Sequence, residues 1–325
     1  MGRWSRRAIG RALLGSALGS VGFLVACTGA GSPANQTAAG ASSQRALRLL
    51  ASESFIADIA QNVAGDRADI DVLVPVGVDP HAFDPTPVDG VRVAQADVLI
   101  VNGAGLEGFL EKLLQQAGGR ARLIEAAAGL PPRQPAPDEA QADEAGHEHE
   151  TDPHFWLDPI AVVRYVENIQ AGLAAADPAW AGAYAANAAA YAVKLRALDA
   201  WAKEQVNTVP PGRRLLVTNH ESFGYFADRY GLRVVGTVLP GTGTGSAPSA
   251  RQMADLVVRI RATGAPAVFL ETGSSQQLAQ AIASEANVKV VTDLRTHSLT
   301  DATGVAPTYL DMMRHNVRTV VDALR

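Results

Sequence analysis

From residue 47 onward, short apolar runs alternate with longer stretches in which apolar residues recur every three or four positions. Leu47–Ala51, Ile70–Val76, Ala96–Val101 and Ala121–Glu125 read as strands. Phe55–Val63, Pro87–Gln95 and Gly105–Ala117 read as the helices between them. This βα alternation predicts a parallel sheet covered by helices. It stops at residues 131–152, a segment rich in proline and then in acids and histidines, which predicts a mobile surface loop. Helices follow from Asp158-Pro159 and from Asp177-Pro178, the second with Asp as cap and Pro at the first helical position. In the second, Tyr184, Ala188, Tyr191, Leu195, Leu198 and Ala202 form one apolar stripe reaching to about Val206. At 1.5 Å per residue such a helix spans roughly 43 Å, enough to run down the molecule and join two lobes.

After Pro210-Pro211-Gly212 the alternation resumes. Strands are predicted at Leu215–Thr218, Val234–Thr237, Ala267–Leu270 and Val288–Thr292. Helices are predicted at Ser222–Tyr230, Ser249–Thr263, Gln276–Ala286 and Thr308–Leu324. The expected fold is α/β, with two βα lobes of parallel sheet joined by a long spanning helix. The expected divisions are 47–176 for the first lobe, 177–207 for the linking helix and 208–325 for the second lobe.

The first 46 residues have a different character. Arg3, Arg6, Arg7 and Arg11 precede an apolar stretch, Ala12–Ala26, that is short for a membrane span. Leu24-Val25-Ala26-Cys27 then matches a lipobox, and Cys27 is the only cysteine. Residues 1–26 are expected to be a lipoprotein signal peptide, Cys27 the lipidation site, and 27–46 a flexible tether. Ser5-Arg6-Arg7 leaves twin-arginine export open beside the general route. The expected location is outside the cytoplasm, anchored by lipid to the cell membrane.

With its one thiol committed to lipid, the chain has only His, Asp, Glu and water to offer a metal. Removing the leader's four arginines also makes the formal charge of −5 more negative. An acidic surface argues against a nucleic-acid partner and suits a cation.

Four potential ligands share one position type. His81 follows the strand 70–76, His220 follows 215–218, Asp293 follows 288–292, and His154 precedes the helix at Asp158. Ligand sites in open parallel sheets lie beyond the strands' carboxyl ends. Two lobes with facing strand ends would bring His81, His154, His220 and Asp293 together. Three imidazoles and a carboxylate suit tetrahedral Zn²⁺, with Mn²⁺ or Fe²⁺ as alternatives. His297 is a spare candidate better read as a surface-loop residue, and His315 is expected to be solvated. His147 and His149, among acids, would form an accessory site that attracts zinc weakly and passes it inward, or else lie on a merely solvated charged loop.

Several segments in order, VGVDPHAFDPTP, ADVLIVNGAGLEGFL, DPHFWLDP, TNHESFGYFADRYGL and YLDMMRHN among them, resemble the solute-binding lipoproteins of zinc and manganese ABC importers, the ZnuA/TroA type. The resemblance covers residues 46–325 and implies the same four ligands. It implies a monomeric, non-enzymatic receptor that captures Zn²⁺ and delivers it to an ABC permease, with release through small shifts rather than wide closure. Two departures stand out: Glu271-Thr272-Gly273 where the family often has Glu-Pro-Gln, and Ala247 where Glu commonly precedes Pro-Ser. The competing classes are a zinc hydrolase, with Glu221 as general base beside a three-ligand metal, and a metal-binding adhesin or surface buffer.

Overall fold

The computed structural model describes residues 45–118, 121–133, 151–245, 247–272 and 276–325. The leader, Cys27, the tether as far as residue 44, and the histidines at 147 and 149 lie outside them.

The first lobe is a parallel sheet in the order β2-β1-β3-β4, with β1 at Arg48–Ala51, β2 at Asp69–Val72, β3 at Val98–Val101 and β4 at Arg122–Glu125. Central β3 is buried along its whole length, as a strand with helices on both faces must be. Helices α1 (Ser54–Ala64) and α2 (Pro87–Gln95) fall where the pattern predicts. Helix α3 (Leu110–Ala117) starts five residues later than expected. The reason is local. Gly103, Ala104 and Gly105 all take positive φ, which breaks a right-handed helix. The Glu107 carboxylate folds back to accept from the amides of Asn102 (2.6 Å) and Gly103 (3.0 Å). Those bonds hold residues 102–107 as a turn.

Two long helices follow, α4 (Pro159–Ala176) and α5 (Ala181–Asn207). Asp158 caps α4 by accepting from the Ile160 amide at 2.8 Å. The predicted stripe of α5 is buried throughout, and at 27 residues the helix is roughly 40 Å long. Gly172 lets α4 press onto β4: a Cβ there would lie 2.3 Å from the Ile124 side chain. Gly172→Ala is therefore expected to destabilise the fold by about 1–3 kcal/mol despite alanine's better helix propensity. A melting temperature at or above wild type would refute that contact.

The second lobe comprises β5 (Leu215–Thr218) paired with β6 (Arg233–Thr237), and β7 (Ala267–Glu271) paired with β8 (Lys289–Leu294), all parallel. Helices α6 (Gly224–Tyr230), α7 (Ala250–Thr263), α8 (Gln276–Ala286) and α9 (Tyr309–Leu324) complete it. One buried cluster runs from Leu49 and Ile100 through Trp156, α5 and α9 to Leu216 and Phe269. That cluster spans both lobes, and a smaller buried cluster packs within each, with Leu99 and Leu113 in the first and Val217 and Val268 in the second. Among the described residues no helix is long and apolar enough to cross a membrane.

The pairing of β7 with β8 contains an irregularity that matters for the site. Phe269 faces Val291, but Glu271 faces Leu294, so β8 spends one extra residue over this stretch. A β-bulge of this kind reverses which side chains point inward. Thr292 and Asp293 both turn to solvent, and Leu294 is buried.

Candidate metal centre

Both Asp-Pro-His segments fold into the same turn. Asp79 Oδ1 accepts from the His81 amide at 2.9 Å, and Asp152 Oδ1 from the His154 amide at 3.0 Å. Proline fixes the middle of each turn and the aspartate satisfies the free amide. The turns aim the two imidazoles at each other, Nε2 to Nε2 at 3.3 Å. His220 comes from the loop after β5, its carbonyl accepting from Thr218 Oγ1 (3.0 Å) and the Ser222 amide (2.8 Å). Its Nε2 lies 3.1 Å from that of His154.

The fourth member is His297 and not Asp293. Asp293 sits in the β8 bulge with its side chain 52 % exposed, paired outward to His315 and Arg295, each at 3.3 Å. Four residues further on, the chain has turned back inward. The His297 side chain is only 11 % exposed. Its Nε2 is buried with no partner among the described residues. One donor atom from each of His81, His154, His220 and His297 falls within 4.8 Å of all the others. The expectation of a surface histidine at 297 and a solvated one at 315 is corrected by the same slip: His297 enters the cluster, and His315 takes the carboxylate that the cluster does not use.

The six distances between the four ring centroids run only from 5.0 to 5.6 Å. The rings therefore stand near the corners of a regular tetrahedron. Zinc–nitrogen bonds of ~2.0–2.1 Å in tetrahedral geometry put neighbouring nitrogens roughly 3.3–3.4 Å apart, close to the two Nε2 separations given above.

Two carboxylates behind the rings, Glu271 buried and Asp152 partly so, orient them. Asp152 Oδ1 lies 2.7 Å from His154 Nδ1, and Glu271 Oε1 lies 2.8 Å from His220 Nδ1. Glu271 is itself held by Ser222 Oγ (2.9 Å) and by Thr296 Oγ1, and its Oε2 stands 3.5 Å from His297 Nδ1. Acceptors on the Nδ1 side fix the tautomer that leaves Nε2 free to bind. The sequence marked Glu271 only as a family departure. Its position at the end of an apolar strand, like that of the ligands themselves, was the available signal.

The electrostatics favour neutral imidazoles. Burial, then the charge on His220, lowers His81 to about 4. Burial likewise pushes His154 and His297 well below the ordinary histidine range. His220 is the exception: burial opposes its charge, but the Glu271 carboxylate overrides it and raises the imidazole. Glu271 is correspondingly held low by His220, against the effect of its own burial. Burial lifts Asp152 to about 7.

Loops and turns of an α/β fold that gather four imidazoles from both lobes mark a metal-binding protein. The chain belongs to the ZnuA family, described as the periplasmic component A of the zinc-uptake complex, whose model matches residues 49–323. It is 34% identical over 282 residues to the manganese-binding lipoprotein MntA of Halalkalibacterium halodurans, covering 86% of this chain and 88% of that protein. The MntA of Bacillus subtilis is 32% identical over 88% of this chain and 92% of its own length. Among solved structures, the periplasmic zinc-binding protein TroA from Treponema pallidum superposes with a TM-score of 0.77 at 28% identity, covering 86% of this chain and 99% of that one. The family is one of metal-uptake receptors for ABC importers and not of enzymes.

Proposed function

We propose that this protein captures Zn²⁺ outside the cytoplasmic membrane and hands it to the permease of an ABC importer, tethered by a lipid on Cys27. The observation that carries the choice of metal is the donor set: four imidazole nitrogens and, among the described residues, no carboxylate oxygen. Imidazole suits zinc, whereas manganese is better served by oxygen ligands. Manganese is the second reading, favoured by the names of the relatives at 34% and 32% identity. Direct competition separates them. Purified protein loaded from equimolar Zn²⁺ and Mn²⁺ is expected to retain zinc by elemental analysis. Predominant manganese would reverse the assignment.

Binding should also move protons in a particular number. His81, His154 and His297 are lowered and therefore already neutral near pH 7. His220 is raised, so it holds its proton to a higher pH. A metal must displace a proton only from a ligand that carries one. Uptake near neutral pH is expected to release at most about two protons, drawn from His220 and from Asp152, the two groups at the site that are raised, and affinity to rise with pH while either still holds its proton. Calorimetry in buffers of different ionisation enthalpy counts the protons; three or more would contradict the stated charge states.

A further inference from the structure

We propose that Thr244 and Asp79 form a latch across the mouth of the metal centre, with Thr244 as a positioning residue that holds His81 and sets how fast the metal leaves. The inference rests on the reading of the four histidines as the metal site. His154 and His220 are wholly buried, whereas His81 and His297 are partly open, so an ion must leave past these two. A cavity of about 470 Å³ opens there, lined by Asp79, Thr244, Glu271, Arg295, His297 and Ser298.

Two contacts join the rims of this cavity. Gly77 N donates to Ser298 Oγ at 3.2 Å, beside His297. Thr244 Oγ1 donates to Asp79 Oδ2 at 2.5 Å, beside His81. The second contact reaches a ligand directly, because the other oxygen of the same carboxylate accepts from the His81 amide. One aspartate therefore ties a second-lobe hydroxyl to the turn that aims a first-lobe imidazole.

The segment carrying Thr244 is built to swing. Its base is fixed beside His220, where Leu239 N donates to Asn219 O at 2.7 Å and Glu221 N to Gly241 O at 3.0 Å. Beyond Gly241 lie Gly243 and Gly245, and a Cβ at either would meet nothing within 4 Å. Side-chain packing at these glycines therefore does not hold the segment down. A hydrogen bond to a carboxylate, stronger than a neutral one, does.

The test is metal dissociation into excess chelator, followed by stopped flow on the Zn²⁺- and Co²⁺-loaded protein. Thr244→Val keeps the shape and removes the donor; it is expected to speed dissociation by about tenfold or more, with the association rate within about threefold of wild type. Thr244→Ser, which restores the hydroxyl, is expected to return dissociation to near the wild-type rate. An unchanged tetrahedral Co²⁺ absorption spectrum in Thr244→Val would show that the four donors are still in place. Wild-type dissociation from a Thr244→Val protein with that spectrum overturns the latch alone, as does a Thr244→Ser protein as fast as Thr244→Val. A wild-type protein that holds no metal at all overturns the site reading and the latch together.

Discussion

His297→Ala is expected to weaken metal binding by more than about 100-fold, while Asp293→Ala changes it by less than about threefold. Orienting partners behind a metal ligand already cost 10–100-fold when removed, so a direct donor should exceed that range. Asp293 is exposed and bonded outward to Arg295 and His315. Exposed pairs of this kind contribute about 0–1 kcal/mol, and nothing in that arrangement reaches the ion. Competition with a chromogenic chelator gives both affinities on one scale. The reverse ranking, with Asp293→Ala the damaging change, would restore the carboxylate to the site and remove the all-nitrogen argument for zinc.

Trp156→Ala is expected to carry the largest cost to stability, about 3–5 kcal/mol. The indole is completely buried and stacks on Phe55 with ring centroids 4.6 Å apart. Its Nε1 donates to the Thr296 carbonyl at 2.7 Å, and its own carbonyl accepts from Tyr309 Oη at 2.7 Å. The residue therefore packs the first lobe and holds the backbone next to His297 in the second. At roughly 2–4 °C per kcal/mol for a chain of this size, the melting temperature should fall by about 10 °C. Trp156→Phe keeps most of the ring packing and loses the donor. It should cost less stability than alanine yet still loosen the His297 loop and lower metal affinity. A phenylalanine variant with wild-type affinity would show that the Trp156–Thr296 bond does not position that ligand.

The fold was legible because its signal is periodic. Apolar runs of strand length alternate with helical stripes, and α2 and α8 fall on the predicted residues. The elements that moved did so for local reasons that periodicity does not carry: α3 starts late because Glu107 bonds the amides of Asn102 and Gly103 instead of continuing a helix. Three members of the metal cluster were legible because each imidazole follows a strand or opens a helix at the same edge of the fold. The fourth was not. Reading it from Asp293 assumed that β8 runs straight to its end. Nothing in VVTDLRTH announces a bulge, since the extra residue is defined only by the register against β7. Glu271 escaped for another reason: its role depends on His220, 51 positions earlier in the chain, which only the folded sheet brings beside it.

The β8 bulge also gives this architecture a simple route to a different cargo. Aspartate and histidine wait four positions apart on one short stretch, and a slip of a single residue in the strand decides which of them faces the ion. A lineage could therefore trade a hard oxygen donor for a borderline nitrogen one through an insertion or deletion upstream, with no ligand ever having to mutate in place.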